Sequence, residues 1–141
     1  NEKGILDRKA LSKKVFSNSK LLETLNDIVH PAVNETFEKF KKKYQDFPVV
    51  IKEAAILIER GSYKSCDIVV LVKAPLDERI KRIVTRDSVN VSEVVARINN
   101  QWDDKKKEKY ADYVIENISL VETHEKVKNL IKKLNNRENI Y

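Results

Sequence analysis

The sequence predicts an α/β fold, a parallel sheet with flanking helices, preceded by a helical block. Three observations carry this expectation. Up to about residue 45, apolar residues recur at three- and four-residue spacing. After Pro48, short runs rich in β-branched residues appear. Those runs then alternate with segments that return to helical spacing, which is how a parallel sheet with crossover helices reads.

Each element has a local reason. Asp7 is placed to cap a first helix carrying Ala10, Leu11, Val15 and Phe16 on one face. Asn18 or Ser19 opens a second, with Leu21, Leu22, Leu25, Ile28 and Val29 as its buried stripe. His30-Pro31 is expected to end it, because the residue before proline disfavours helical backbone while proline suits a first turn. A third helix then runs to about Gln45 through Val33, Phe37, Phe40 and Tyr44. Val49-Val50-Ile51 and Ile68-Val69-Val70-Leu71-Val72 read as strands buried on both faces. Pro75, Asp77 and Glu78 fit the first turn of a helix reaching about Arg86. Asn90 with Glu93 starts another, bearing Val91, Val94, Val95 and Ile98. Tyr113-Val114-Ile115 is a further strand, and Ser119 with Glu122 caps a last helix through Val127, Leu130, Ile131 and Leu134.

Composition narrows the function. With 141 residues, 41% hydrophobic, the chain can form a core; with 35% charged, it has no uninterrupted apolar run for a membrane span. The single cysteine, Cys66, excludes an intrachain disulfide and points to a reducing compartment. The absence of an apolar leader core makes a cytoplasmic location the expectation. A formal net charge of +6 favours anionic partners, although Lys41-Lys42-Lys43 and Lys105-Lys106-Lys107 read most simply as solvated helix faces. Only two glycines occur, Gly4 and Gly61, so no Gly-x-x-x-x-Gly-Lys loop can be written. There is no methionine, and the natural start is expected upstream.

The sharpest chemical feature is Arg79, Arg82 and Arg86, which share one helix face while Leu76, Ile80 and Ile83 turn inward. Adjacent guanidiniums suit the oxygens of a transferring phosphoryl group. The alternative is an exposed face paired with Asp77, Glu78 and Asp87. The start of this helix at the carboxyl end of a parallel strand favours ligand binding. Glu53 and Glu59 are candidates to hold a metal-bound water or a substrate hydroxyl, or are surface acids. His30 and His124 lack partners at triad or metal-ligand spacing. Cys66 reads as a small hydrophobe, and Trp102 as the anchor of a mobile segment.

Taken in order, Gly4-Ile5-Leu6-Asp7-Arg8, Leu11, Val15-Phe16, Leu25, His30-Pro31 and Val33 resemble the middle of dephospho-CoA kinases. So do Glu53-Ala54-Ala55-Ile56-Leu57-Ile58-Glu59, Asp67 to Val72, Arg82, Arg86-Asp87, Arg97-Ile98, Gln101, Ala111 to Ile115, and Asn117. Ala55 stands where that family has proline, and Arg79 where it usually has glutamine. The resemblance covers essentially the whole chain and implies a P-loop kinase-like sheet, present in part. The family's P-loop and Asp-x-Asp strand have no counterpart in these residues.

The resemblance implies ATP-dependent phosphorylation of the ribose 3′-hydroxyl of dephospho-CoA, the last step of coenzyme A biosynthesis, with magnesium as the ATP partner. It casts Arg82 and Arg86 as catalytic and nucleotide-binding, with Asn117 beside the base. Arg8, His30 and Glu59 fall on the CoA side, and Arg97 and Gln101 in a lid. The expected organisation is a CoA-side helical block at 1–47, core strands and the arginine helix at 48–87, a lid at 88–110, and the last strand and helix at 111–141. No metal ligand is assigned, since magnesium would be held by residues of the missing P-loop part. These residues alone are expected not to turn over ATP. Expected partners are ATP and dephospho-CoA, with neither nucleic acid nor membrane, and an open sheet edge could support association. The alternatives are another P-loop kinase of a small metabolite or nucleotide, and a basic nucleic-acid-binding module. The latter fits poorly, since the basic residues are spread and strands interrupt any basic helix.

Overall fold

The structure, a computed structural model, describes residues 5–135. Gly4, which opens the matched N-terminal run, lies outside them. The elements are α1 (Arg8–Phe16), α2 (Ser19–Lys43), a 3-10 turn (Ser62–Ser65), β1 (Val70–Lys73), α3 (Leu76–Asp87), α4 (Val91–Ile98), α5 (Asp104–Glu108), β2 (Tyr113–Glu116) and α6 (Leu120–Asn135). By its internal contacts the chain divides into two units. One comprises Asn1–Lys52 with Asn90–Asn100, the other Glu53–Val89 with Gln101–Tyr141. The 88–110 stretch is therefore shared between them.

In the helical unit, the caps form where short polar side chains precede the apolar spacing. The Asp7 carboxylate accepts from the Ala10 N–H at 2.9 Å, and Asn18 Oδ1 from the Leu21 N–H at 3.1 Å. Asn90 Oδ1 accepts from the Glu93 N–H at 2.9 Å, while its Nδ2 donates to the Glu93 carboxylate at 3.1 Å. Val15 and the fully buried Val94 form the core, where α1 packs on α2 and α4.

The expected break at His30-Pro31 does not occur: α2 runs on through Pro31. One missing N–H bond costs less than stopping a helix and nucleating a new one, and helical apolar spacing continues on both sides. His30 is thus half-buried in mid-helix rather than at a junction. The expected stripe of α2 is also only partly covered. Leu22 and Leu25 are half-buried, whereas Leu21, Ile28 and Val29 are exposed. Length explains this: at about 1.5 Å per residue, nine-residue α1 can shield only a fraction of 25-residue α2.

No strand forms at residues 49–51, contrary to expectation, and Ile51 is 82% exposed. The segment instead folds back along α2. Phe47 packs edge-on against Tyr44, and Lys52 Nζ reaches Asn34 Oδ1 at 3.0 Å and lies 4.7 Å from the Phe37 ring. Branched residues favour a strand only when a neighbouring strand supplies the hydrogen bonds.

In the second unit β1 and β2 pair in parallel, Val70 opposite Tyr113 through Lys73 opposite Glu116. Asp112 closes the start of the ladder from both sides: its N–H donates to the Val69 carbonyl and its carboxylate accepts from the Val69 N–H at 2.7 Å. At the other end the Asn117 N–H donates to the Lys73 carbonyl at 2.7 Å. Ile58, Val69, Ala74 and Ile115 are buried, and α6 packs on β2. Ile80 and Ile83 of α3 are half-buried as expected, but Leu76 is exposed at the first turn. The lysine run 105–107 lies in α5 and its flank is not uniformly solvated, because Lys107 is buried.

Candidate functional site

The site is built at the carboxyl end of β1, where Ala74-Pro75 turns the chain into α3. Pro75 has the extended backbone of an N-cap, and the Arg79 N–H donates to its carbonyl at 3.0 Å. Asp77 and Glu78 in the first turn complement the helix dipole. One turn and two turns further on stand Arg82 and Arg86.

The three arginines of α3 serve different partners. Arg79 forks onto the Asp104 carboxylate, with both contacts at 3.3 Å, and its Nε is buried without an acceptor among the described residues. Arg82 donates through Nη1 to the Asn117 carbonyl at 2.8 Å and through Nη2 to the Ile118 carbonyl at 3.1 Å; its Nε lies 3.7 Å from Glu78. Arg86 is 74% exposed and clasps its neighbour Asp87 through two bonds of 2.7 and 3.1 Å, which raise its pKa further above the ordinary guanidinium range. The local acids named as the alternative for this face are therefore partners of two of the three arginines.

This arrangement brings Arg82 and Asn117 into direct contact through the Asn117 backbone. The Asn117 side chain is used differently, its Oδ1 accepting from the Thr123 hydroxyl at 3.2 Å. Glu59 is nearly buried; one carboxylate oxygen accepts from Lys107 Nζ at 3.0 Å and from the Trp102 N–H at 3.1 Å. Its other oxygen is buried with no partner among the described residues. Gln101 accepts from Lys107 at 3.3 Å. In the helical unit, Arg8 is exposed at the first position of α1, and the Arg97 guanidinium sits 5.6 Å from the Phe16 ring. Gln101 and Arg97, paired in the expected lid, thus belong to different units.

Sequence reasoning missed Lys107, Lys73 and Asp104 as structural partners of this region. Lys73 Nζ donates to Glu108 at 2.9 Å and lies 3.8 Å from Glu116, so its pKa rises, first through the Glu108 hydrogen bond and then through the Glu108 charge. The available signal was the spacing of Asp104, Lys107 and Glu108, three and four residues apart behind the Asp103 cap. Among the described residues no three His, Cys, Asp or Glu side chains lie together as a metal site. Magnesium at kinase sites is held by one or two side chains together with nucleotide phosphates and water, so it needs no all-protein cage of this kind. No helix among them is long and apolar enough to cross a membrane.

The family model for dephospho-CoA kinase matches residues 1–122. The chain belongs to the dephospho-CoA kinase family. It is 39% identical over 117 residues to a dephospho-CoA kinase of Leptospira interrogans, covering 83% of this chain and 56% of that protein. It is 35% identical over 135 residues to one from Aquifex aeolicus, covering 95% of this chain and 68% of the relative. The chain thus spans little more than half the length of some of its dephospho-CoA kinase relatives. A solved structure from Thermus thermophilus superposes with a TM-score of 0.77 at 34% identity, covering 93% of this chain and 69% of that one. The dephospho-CoA kinase from Campylobacter jejuni gives 0.58 at 26% identity, covering 92% and 65%. The α/β architecture is therefore that of dephospho-CoA kinases.

Proposed function

We propose that the whole protein containing this chain transfers the γ-phosphoryl group of ATP to the ribose 3′-hydroxyl of dephospho-CoA. The observation that carries this reading is the family match over residues 1–122, joined to an arginine-bearing helix that starts at the end of a parallel strand. The 141 residues contain no Gly-x-x-x-x-Gly-Lys run, so the activity is proposed for the whole protein, and these residues by themselves release no ADP.

In this reading the chain contributes charge and position. Such a transfer needs little covalent help and much neutralisation of the phosphoryl oxygens. Arg86, exposed and held among the described residues by adjacent Asp87, turns toward the transferring group by exchanging one carboxylate for another anion. Arg82, tied to the carbonyls of Asn117 and Ile118, links the same helix to the loop proposed to hold the base. Residues 88–110, with Arg97 and Gln101, act as the lid that excludes water. Arg8 and His30 serve the CoA side, and Glu59 supports it through its hold on Lys107 and the Trp102 backbone.

The test is a coupled ADP-release assay on the full-length protein with ATP and dephospho-CoA, challenged with adenylate and with nucleosides. Dephospho-CoA is expected to win, and Arg86→Met to lower kcat by roughly 10²-fold or more with little change in KM. Adenylate or a nucleoside outcompeting dephospho-CoA would assign a different small-metabolite kinase.

A further inference from the structure

Residues 101–110 are attached to the second unit in an unusual way: the one buried side chain among them is a lysine, Lys107. Five-residue α5 is too short to persist by its own hydrogen bonds, so its partners hold it. Asp104, Lys107 and Glu108 share one face of it, and each meets an opposite charge from a different stretch of the chain. Asp104 meets Arg79 of α3 at 3.3 Å, Lys107 meets Glu59 at 3.0 Å, and Glu108 meets Lys73 of β1 at 2.9 Å. The order minus, plus, minus faces plus, minus, plus. A slip by one turn would set Lys107 against Arg79 or Lys73, so the charges fix a single register. Around them lie Tyr63, Tyr110 and Trp102, whose rings meet at 5.2 and 5.8 Å, with Lys106 Nζ 3.5 Å over the Trp102 ring.

We propose that residues 102–110 are a charge-docked clasp that sets the free length of chain following the 90–100 segment. Docked, the chain is anchored at Trp102, whose N–H is held by Glu59. Undocked, the next anchor is Asp112, bonded to Val69 on both sides. Nine further residues then join the link, adding up to about 30 Å of reach. Arg79, the position where the family usually has glutamine, belongs to this clasp rather than to a phosphate site. The Arg79–Asp104 and Lys73–Glu108 pairs are about one-third exposed and are therefore open to screening by salt, while Lys107–Glu59 is not. Release is thus graded, with the outer pairs giving way first.

Hydrogen exchange on the full-length protein tests the clasp without substrate, so its outcome is independent of the proposed reaction. In Lys107→Met, exchange across 102–110 is expected to accelerate at least about tenfold while β1 and β2 change less than about twofold. Lys107→Arg, which keeps the charge, is expected to retain most of the protection. If Lys107→Met also loosens the strands, the double variant Asp104→Asn/Glu108→Gln decides, because it removes only part-exposed charges. Faster exchange confined to 102–110 in the variant, and in the unsubstituted protein at 1 M NaCl, supports the clasp. Unchanged exchange there, equal loss in the strands of the double variant, or a Lys107→Arg variant as loose as Lys107→Met overturns it.

Discussion

Gly61 shows how much a single position can demand. It takes φ 71° at the turn between the Glu59 segment and the 3-10 turn, and a Cβ there would meet nothing within 4 Å. The cost of Gly61→Ala is therefore one of backbone conformation. We expect a loss of about 1 kcal/mol, the left-handed penalty less the entropy gained by restricting the unfolded chain, measured by urea unfolding. At this scale the sequence was partly legible. The capping roles of Asp7, Asn18 and Asn90 followed from side chains that reach their own backbone three residues on. The burial of Lys107 did not, because three consecutive lysines look alike until Glu59, distant in sequence, selects one. Likewise Arg79 shares its face with Arg82 and Arg86, and only the position of Asp104 draws it to a different task.

Helix α2 and the missing strand carry the lesson for elements. Pro31 removes one hydrogen bond in the interior of a 25-residue helix. Pro31→Ala is expected to stabilise the protein by about 1–3 kcal/mol, seen as a higher denaturation midpoint with an unchanged slope. A destabilised variant would mean that the proline ring itself is needed for packing. The local proline rule failed here because continuity of the helix is decided over several turns rather than at one peptide bond. The strand at 49–51 failed for the complementary reason: a strand is a relation between two segments, and these residues fold against α2 instead. By contrast β1, α3, α4 and β2 were readable, since their apolar runs and caps agree with the pairings they make.

For the molecule as a whole, the two-stranded sheet leaves Val70, Val72 and Val114 between 37% and 57% exposed, and neither β1 nor β2 has a second strand partner among the described residues. The 141-residue chain is expected to self-associate through this sheet, with sedimentation velocity showing a mass that grows with concentration. Val72→Lys should suppress it, as charge does on natural sheet edges. Family, fold class, the arginine helix and most helix starts were determined by sequence alone, because they depend on residues within a few positions of one another and on matched order along the chain. The tertiary structure decided the unbroken α2, the unpaired 49–51 segment, the contact of Arg82 with Asn117, and the ion pairs that dock α5. Each of these depends on which distant group comes within hydrogen-bond range, and opposite charges or free carbonyls select their partners only once the backbone has brought them together.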